Sequence, residues 1–244
     1  MPILETRKIS KHFGGLIAVN EVDYRVEPGE LRSIIGPNGA GKTTFFNMIA
    51  GDLAATSGQV FFHGEDITRL STFERSHKGI GRTYQITTIF PRLTVRENVR
   101  IAAQSRKTTF NMWTGVNQHK ELIEKADHIL ERVRLADKWD EPAGTLAHGE
   151  QRYLEIGIAL ATDPVLLLLD EPTAGMSPEE SRQTAEFIRG LANPLTIILV
   201  EHDMEIVMGI SDRITVLHNG EFLAEGTVDE IRANEDVKRV YLRD

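Results

Sequence analysis

Polar and apolar positions along this chain change period several times, and each change marks an element. Over roughly the first 30 residues, and again over 214–225, polar and apolar positions tend to alternate, as in strands with one buried face. His218-Asn219-Gly220-Glu221 places an Asn-Gly hairpin turn in the second stretch, so antiparallel strands are expected to flank the core sheet. Short apolar runs recur at 34–35, 60–62, 165–169, 196–200 and 214–217, with helix-like stretches between several of them. The runs 165–169 and 196–200 carry no polar alternation, which predicts central strands of a parallel sheet covered on both faces. Between them, Ser177-Pro178-Glu179-Glu180 predicts a helix start, with a capping serine, proline in the first turn and acids at the positive dipole end. The result is a βαβ unit in an α/β layout.

Residues 93–162 show helical pattern and no convincing strand. The expected organisation is one domain over 1–244, with a core at about 1–89 and 161–244 and a helical lobe inserted at about 90–160. Within that lobe, 152–161 places Leu154, Ile158 and Ala161 at helical spacing, which reads as ordinary core packing. Residues 104–118, with Trp113 and Gly115, have no clear period and are expected to be irregular. There is no internal repeat or low-complexity tract.

Charge and composition narrow the partners. With 28 basic against 36 acidic residues the net charge is −8, so the overall balance gives nucleic acid no support as a partner. No cysteine is present, which excludes disulfides and thiolate metal sites. The N-terminal MPILETRKIS lacks the apolar segment of a secretory signal, so a cytoplasmic protein is expected. The longest apolar runs fall far short of the roughly 20 residues that span a bilayer, and any membrane role is expected to be peripheral.

The chemistry begins at Gly36-Pro37-Asn38-Gly39-Ala40-Gly41-Lys42-Thr43-Thr44, which fits the phosphate-loop pattern at every fixed position. The loop lies between the apolar run 31–35 and a helix-like segment at 45–50, where a phosphate cradle requires a strand and a helix. Glycines let backbone N–H groups turn inward around phosphate oxygens, and the following helix adds its positive end. Lys42 is expected to reach the β- and γ-phosphates of ATP, and Thr43 to ligate Mg²⁺. A second half of the site follows in 165–171, where a buried strand ends in Asp170-Glu171. Asp170 is placed to hold the Mg²⁺ shell and Glu171 to face the attacking water as base. The bland alternative is a strand that simply ends in a polar Asp-Glu-Pro turn; the phosphate loop upstream strongly favours the catalytic reading.

Taken together, 36–44, 165–171, Thr173-Ala-Gly-Met-Ser-Pro178 and Leu199-Val-Glu-His202-Asp203 resemble an ATP-binding cassette (ABC) subunit along essentially the whole chain. The resemblance implies a P-loop NTPase core with an antiparallel β subdomain and an inserted helical subdomain. It implies that His202 contacts the γ-phosphate, that Gln85 senses metal and water, and that Phe13 stacks on adenine. The family's signature loop, usually L-S-G-G-Q, corresponds to Leu146-Ala147-His148-Gly149-Glu150, followed by Gln151. Three of those five positions depart. The loop's task is to put a helix N-terminus and backbone amides against ATP held by a second cassette; Gly149 and the dipole survive, while Ala147 removes a hydroxyl and His148 could supply another polar contact.

Phe13-Gly-Gly-Leu16, Gly81-Arg-Thr-Tyr-Gln85, Leu154-Glu-Ile156 and Thr173 to Glu180 are similar to the ATPases of branched-chain amino-acid importers and the related urea and amide uptake systems. The implied partners are integral membrane permeases, a second cassette and, indirectly, a periplasmic or extracellular solute-binding protein, with the chain on the cytoplasmic face of the membrane. Glu235 to Leu242 is also similar to the ATPase of lipopolysaccharide export, which stands as the alternative. A soluble ABC machine is the third reading, disfavoured by a single cassette without sustained heptads.

Overall fold

The computed structural model describes residues 1–83, 89–105, 117–192 and 195–241. Strands β1 (Leu4–Phe13), β2 (Leu16–Val26), β4 (Ser57–Phe62) and β5 (Glu65–Asp66) form an antiparallel sheet in the order β2-β1-β4-β5. A second sheet has the order β10-β9-β3-β8-β7-β6, built from β3 (Leu31–Ile35), β6 (Ile80–Arg82), β7 (Leu166–Asp170), β8 (Thr196–Val200), β9 (Arg213–His218) and β10 (Glu221–Gly226). It is parallel from β9 to β6, and β10 closes one edge as the antiparallel arm of a hairpin. Asn219 and Gly220 take the expected turn with φ of 51° and 79°, a left-handed pair that matches strand twist.

Every residue of β3, β7 and β8 is buried, as the unalternating runs predict. Successive side chains enter different cores: Leu167 and Leu169 pack with the helices on one face, Leu166 and Leu168 with the antiparallel sheet on the other. Helix α1 (Lys42–Ala50) is sandwiched between the two sheets, with Phe45, Phe46, Met48 and Ile49 all buried. A helix apolar on most of its circumference is stable only in such a position.

Residues between β6 and β7 hold α3 (Val95–Ser105), α4 (Asn117–Arg132) and α5 (His148–Leu160), preceded in the chain by α2 (Thr72–Lys78). Helix therefore extends further into the stretch expected to be irregular than its missing period suggested: 104–105 close α3 and 117–118 open α4, while 106–116 lie outside the described residues. Leu154 and Ala161 are fully buried and Ile158 packs at the edge of the same core. Ser177 caps α6 (Pro178–Leu191) in a reciprocal box with Glu180, Pro178 occupying the first turn. Helices α7 (Met204–Ile210), α8 (Val228–Ala233) and α9 (Glu235–Tyr241) complete the described chain.

One buried cation secures α1 from its far end. Arg75 of α2 is 2% exposed and donates to the carbonyls of Met48 (2.7 Å), Ile49 (2.6 Å), Ile67 (2.8 Å), Thr68 (3.1 Å) and Leu70 (3.1 Å). Met48 and Ile49 end α1, where the dipole is negative and carbonyls lack helical partners. Burial lowers the Arg75 pKa to about 10, still far above neutrality, so the guanidinium keeps its charge. Arg75→Met is expected to cost about 3–5 kcal/mol in urea unfolding, because several carbonyls stay buried without donors. Arg75→Lys should recover only part of this, since an ammonium has three donors and no planar fork. An unfolding midpoint unchanged in Arg75→Met would refute the cap.

Candidate functional site

The sheet order brings three strand ends together. β8 lies between β3 and β7, so the loop after β3, the Asp170-Glu171 pair ending β7 and the Glu201-His202 pair following β8 share one carboxyl edge. In open α/β sheets that edge is where ligands bind.

Residues 36–41 wrap tightly onto neighbouring backbone. Gly36 and Gly41 have φ of 156° and 93°, and a Cβ would strike the Leu217 carbonyl at the first and the Ala18 carbonyl at the second. Only glycine fits either place. Gly41 caps α1 without a side-chain acceptor, and no acid sits in the helix's first turn, so its leading N–H groups remain free for an anion. Lys42 Nζ folds over the loop, donating to the carbonyls of Gly36 (2.6 Å) and Pro37 (3.0 Å). Burial lowers its pKa, and the neighbouring Glu171 carboxylate acts in the opposite direction.

Asn38 to Thr44 line a cavity of about 370 Å³ together with Phe13, Leu16, Ile17, Ala18 and Glu171. Phe13, Leu16 and Ile17 project from the β1–β2 hairpin and are 49%, 65% and 50% exposed, an apolar face suited to a planar base beside a cradle suited to phosphates. A larger cavity of about 810 Å³, lined by Glu5, Arg7, Tyr24 and Phe222 among others, gathers none of the predicted site residues.

Asp170 is 2% exposed, and its Oδ1 has no hydrogen-bond partner among the described residues. Burial pushes its pKa up to about 6, opposed by Arg82, whose Nη2 lies 3.7 Å from Oδ2. A buried carboxylate with an orphaned oxygen, at the strand end next to Glu171 of the cavity lining, fits a divalent cation sharing its shell with phosphates. Among the described residues no group of three or more His, Asp or Glu side chains could hold a metal unaided. Glu171 has a φ of 47°, left-handed for a residue with a Cβ, and its N–H donates to the Val200 carbonyl at 2.9 Å. His202 is exposed two residues past the end of β8 and lies outside the cavity lining. Gln85 lies outside the described residues.

Residues 146–151 sit elsewhere. Ala147 caps α5 with no side-chain hydrogen bond; instead Glu150 Oε2 accepts from the Ala147 N–H at 3.0 Å while Oε1 pairs with Lys138 Nζ at 2.6 Å. Gln151 Nε2 donates to the Leu146 carbonyl at 2.9 Å. The His148 ring turns toward the loop after β7, its Nε2 3.3 Å from the Ala174 carbonyl. Within one chain this loop does not approach the 370 Å³ cavity. Sequence reasoning gave no role to Arg82, Lys138 or Glu201, which pair across the chain with Asp52 and Asp170, with Glu150 and with Thr173 respectively.

The family model for the ABC transporter matches residues 19–174. The chain belongs to the ABC transporter family. This cassette is 42% identical to the high-affinity branched-chain amino acid transport ATP-binding protein BraF of Pseudomonas aeruginosa, over 99% of this chain and 98% of BraF. It is 40% identical to the protein of the same description, LivG, of Escherichia coli K12, with the same coverage. Among solved structures, the ADP conformation of an ATP-binding cassette of an ABC transporter superposes with a TM-score of 0.88 at 33% identity, covering all of both chains. A nucleotide-free ATP-binding cassette superposes at 0.87 and 34%, covering 99% of each. The family and fold that the motifs implied are therefore established, and with them the activity of the cassette as a nucleotide-binding ATPase. Among the described residues no helix of the cassette is long and apolar enough to cross a membrane.

Proposed function

We propose that the chain is the ATP-hydrolysing subunit of an importer for branched-chain amino acids or related small amide solutes. The observation that carries this reading is the end-to-end identity of 40–42% with BraF and LivG, both described as branched-chain amino acid transport ATP-binding proteins. In this reading Phe13 stacks on adenine, residues 36–44 cradle the phosphates, and Lys42 exchanges its loop carbonyls for phosphate oxygens. Thr43, Asp170 and Gln85 would hold Mg²⁺, which supplies charge neutralisation across the β- and γ-phosphates. Glu171 takes the proton of the attacking water and His202 contacts the γ-phosphate.

The exposed N-terminus of α5, carrying Ala147, His148, Gly149 and Glu150, is the surface offered to ATP on a second cassette. Core segments 1–89 and 161–244 bind nucleotide, and the helical lobe 90–160 transmits closure to permease subunits at the cytoplasmic face of the membrane. The solute-binding protein acts on the far side and does not touch this chain.

Two measurements test this. ATP turnover per chain should rise with protein concentration and rise again on reconstitution with permease and partner cassette, because each site is completed by a second cassette. In cells, removing this chain should abolish uptake of labelled leucine, isoleucine and valine, with rescue by the wild type. Unchanged uptake of all three would overturn the substrate assignment, and turnover independent of concentration and of partners would overturn the shared-site assignment.

A further inference from the structure

One fully buried carboxylate between the ends of β7 and β8 has no part in the function described above. Glu201 is 0% exposed and directly follows β8. Its Oε1 accepts from the Thr173 backbone N–H at 3.2 Å and from the Thr173 hydroxyl. Its Oε2 accepts from the His202 N–H at 3.1 Å and lies 3.7 Å from His202 Nδ1. No Lys or Arg is paired with it among the described residues. Burying a carboxylate is costly unless its lone pairs are filled, and an apolar side chain would pack here at lower cost. Two of the groups that hydrogen-bond to it are backbone N–H groups, which can only donate, one at each carboxylate oxygen, so both oxygens are required as acceptors.

What Glu201 grips explains the requirement. Thr173 stands two residues after Glu171, whose left-handed backbone is unfavourable for a residue with a Cβ and persists only where its surroundings hold it. Val200 secures the Glu171 N–H from β8, and the Ala174 N–H returns to the Glu171 carbonyl at 3.1 Å. Glu201 adds the anchor at Thr173, from the segment that carries His202.

We infer that Glu201 is a positioning residue, a buried clamp that joins Thr173 to the His202 backbone and so holds Glu171 and His202 in fixed relation. The inference rests on the roles given above to those two residues. Glu201→Gln keeps the size but replaces one acceptor oxygen with an NH₂, which cannot accept from the backbone N–H of Thr173 or of His202.

The test uses the full chain in excess over labelled ATP, with ATP binding measured on the same preparations. Glu201→Gln is expected to slow the single-turnover rate per bound ATP by about tenfold or more while ATP affinity stays within about twofold. Thr173→Val, which removes the hydroxyl bond and leaves the N–H bond, should give a smaller loss, and the double variant should be no slower than Glu201→Gln alone. In a Glu171→Gln background, Glu201→Gln should cause a smaller further loss than in the wild type, because only the placement of His202 is then left to lose. A wild-type rate per bound ATP in both Glu201→Gln and Thr173→Val overturns the clamp, as does a loss confined to the fraction that binds ATP. A wild-type rate in Glu171→Gln overturns instead the base assignment beneath it.

Discussion

Glu171→Gln is expected to bind ATP with nearly wild-type affinity and to hydrolyse it about 10²–10⁴-fold more slowly, the range lost when a general base is removed. The amide matches the carboxylate in size and lines the same cavity, so the cradle built by 36–44 remains. It cannot take a proton from water. Lys42→Ala should behave differently, because Lys42 Nζ is the charged donor folded over the loop and its loss removes charge-assisted contacts to phosphate in ground and transition states alike. ATP affinity should fall about 10- to 100-fold, or roughly 1.4–2.8 kcal/mol. Nucleotide binding by calorimetry and single-turnover hydrolysis separate the two variants. Glu171→Gln hydrolysing at the wild-type rate would remove Glu171 from the catalytic role; Lys42→Ala binding normally would remove Lys42 from the cradle.

Asp170→Asn is expected to separate stability from function. The folded-state pKa of Asp170 is raised from 3.8 to about 6 by burial, so between those values the folded chain binds more protons than the unfolded chain. Stability of the nucleotide-free protein therefore falls as pH rises from about 4 to about 6, and above that the ionised carboxylate stays buried at a cost. Asn carries no such charge. At pH 7.5 the nucleotide-free Asp170→Asn variant should unfold several degrees above the wild type, with this part of the pH dependence gone. Mg·ATP should then stabilise the wild type strongly and the variant little, because ligand stabilisation follows affinity. Thermal scans from pH 5 to 8, with and without Mg·ATP, check both halves. Equal stabilisation of wild type and variant by Mg·ATP would exclude Asp170 from the cation shell.

The features legible in the sequence are those written in short stretches. The loop 36–44 is readable because glycine, lysine and threonine at fixed spacing meet a local requirement for tight backbone and a cationic side chain. The helix start at Ser177-Pro178 and the turn at Asn219-Gly220 are readable because each depends on residues within four positions. Strands β7 and β8 are readable because a strand buried on both faces has no place for polar alternation.

Side-chain partners across the fold were not legible. Arg75 looks like one more charge on a short polar helix, and only the packing of α2 against the end of α1 turns it into a buried cap. Glu201 looks like a polar residue at a strand end, and only the adjacency of β7 and β8 brings Thr173 onto it across 28 residues. His148 showed its residue type but not its direction, which the loop after β7 decides.

By itself the sequence determined that this chain has an α/β layout, which loop has the composition of a phosphate cradle and which strand ends in paired acids, since each follows from backbone and side-chain chemistry a few residues long. Tertiary structure alone decided that β8 lies between β3 and β7, that Asp170 is buried with an orphaned oxygen, and that Glu201 bridges two loops. The physical reason is that strand order, burial and hydrogen-bond partners depend on which distant segments pack together, and local periodicity carries no record of that choice.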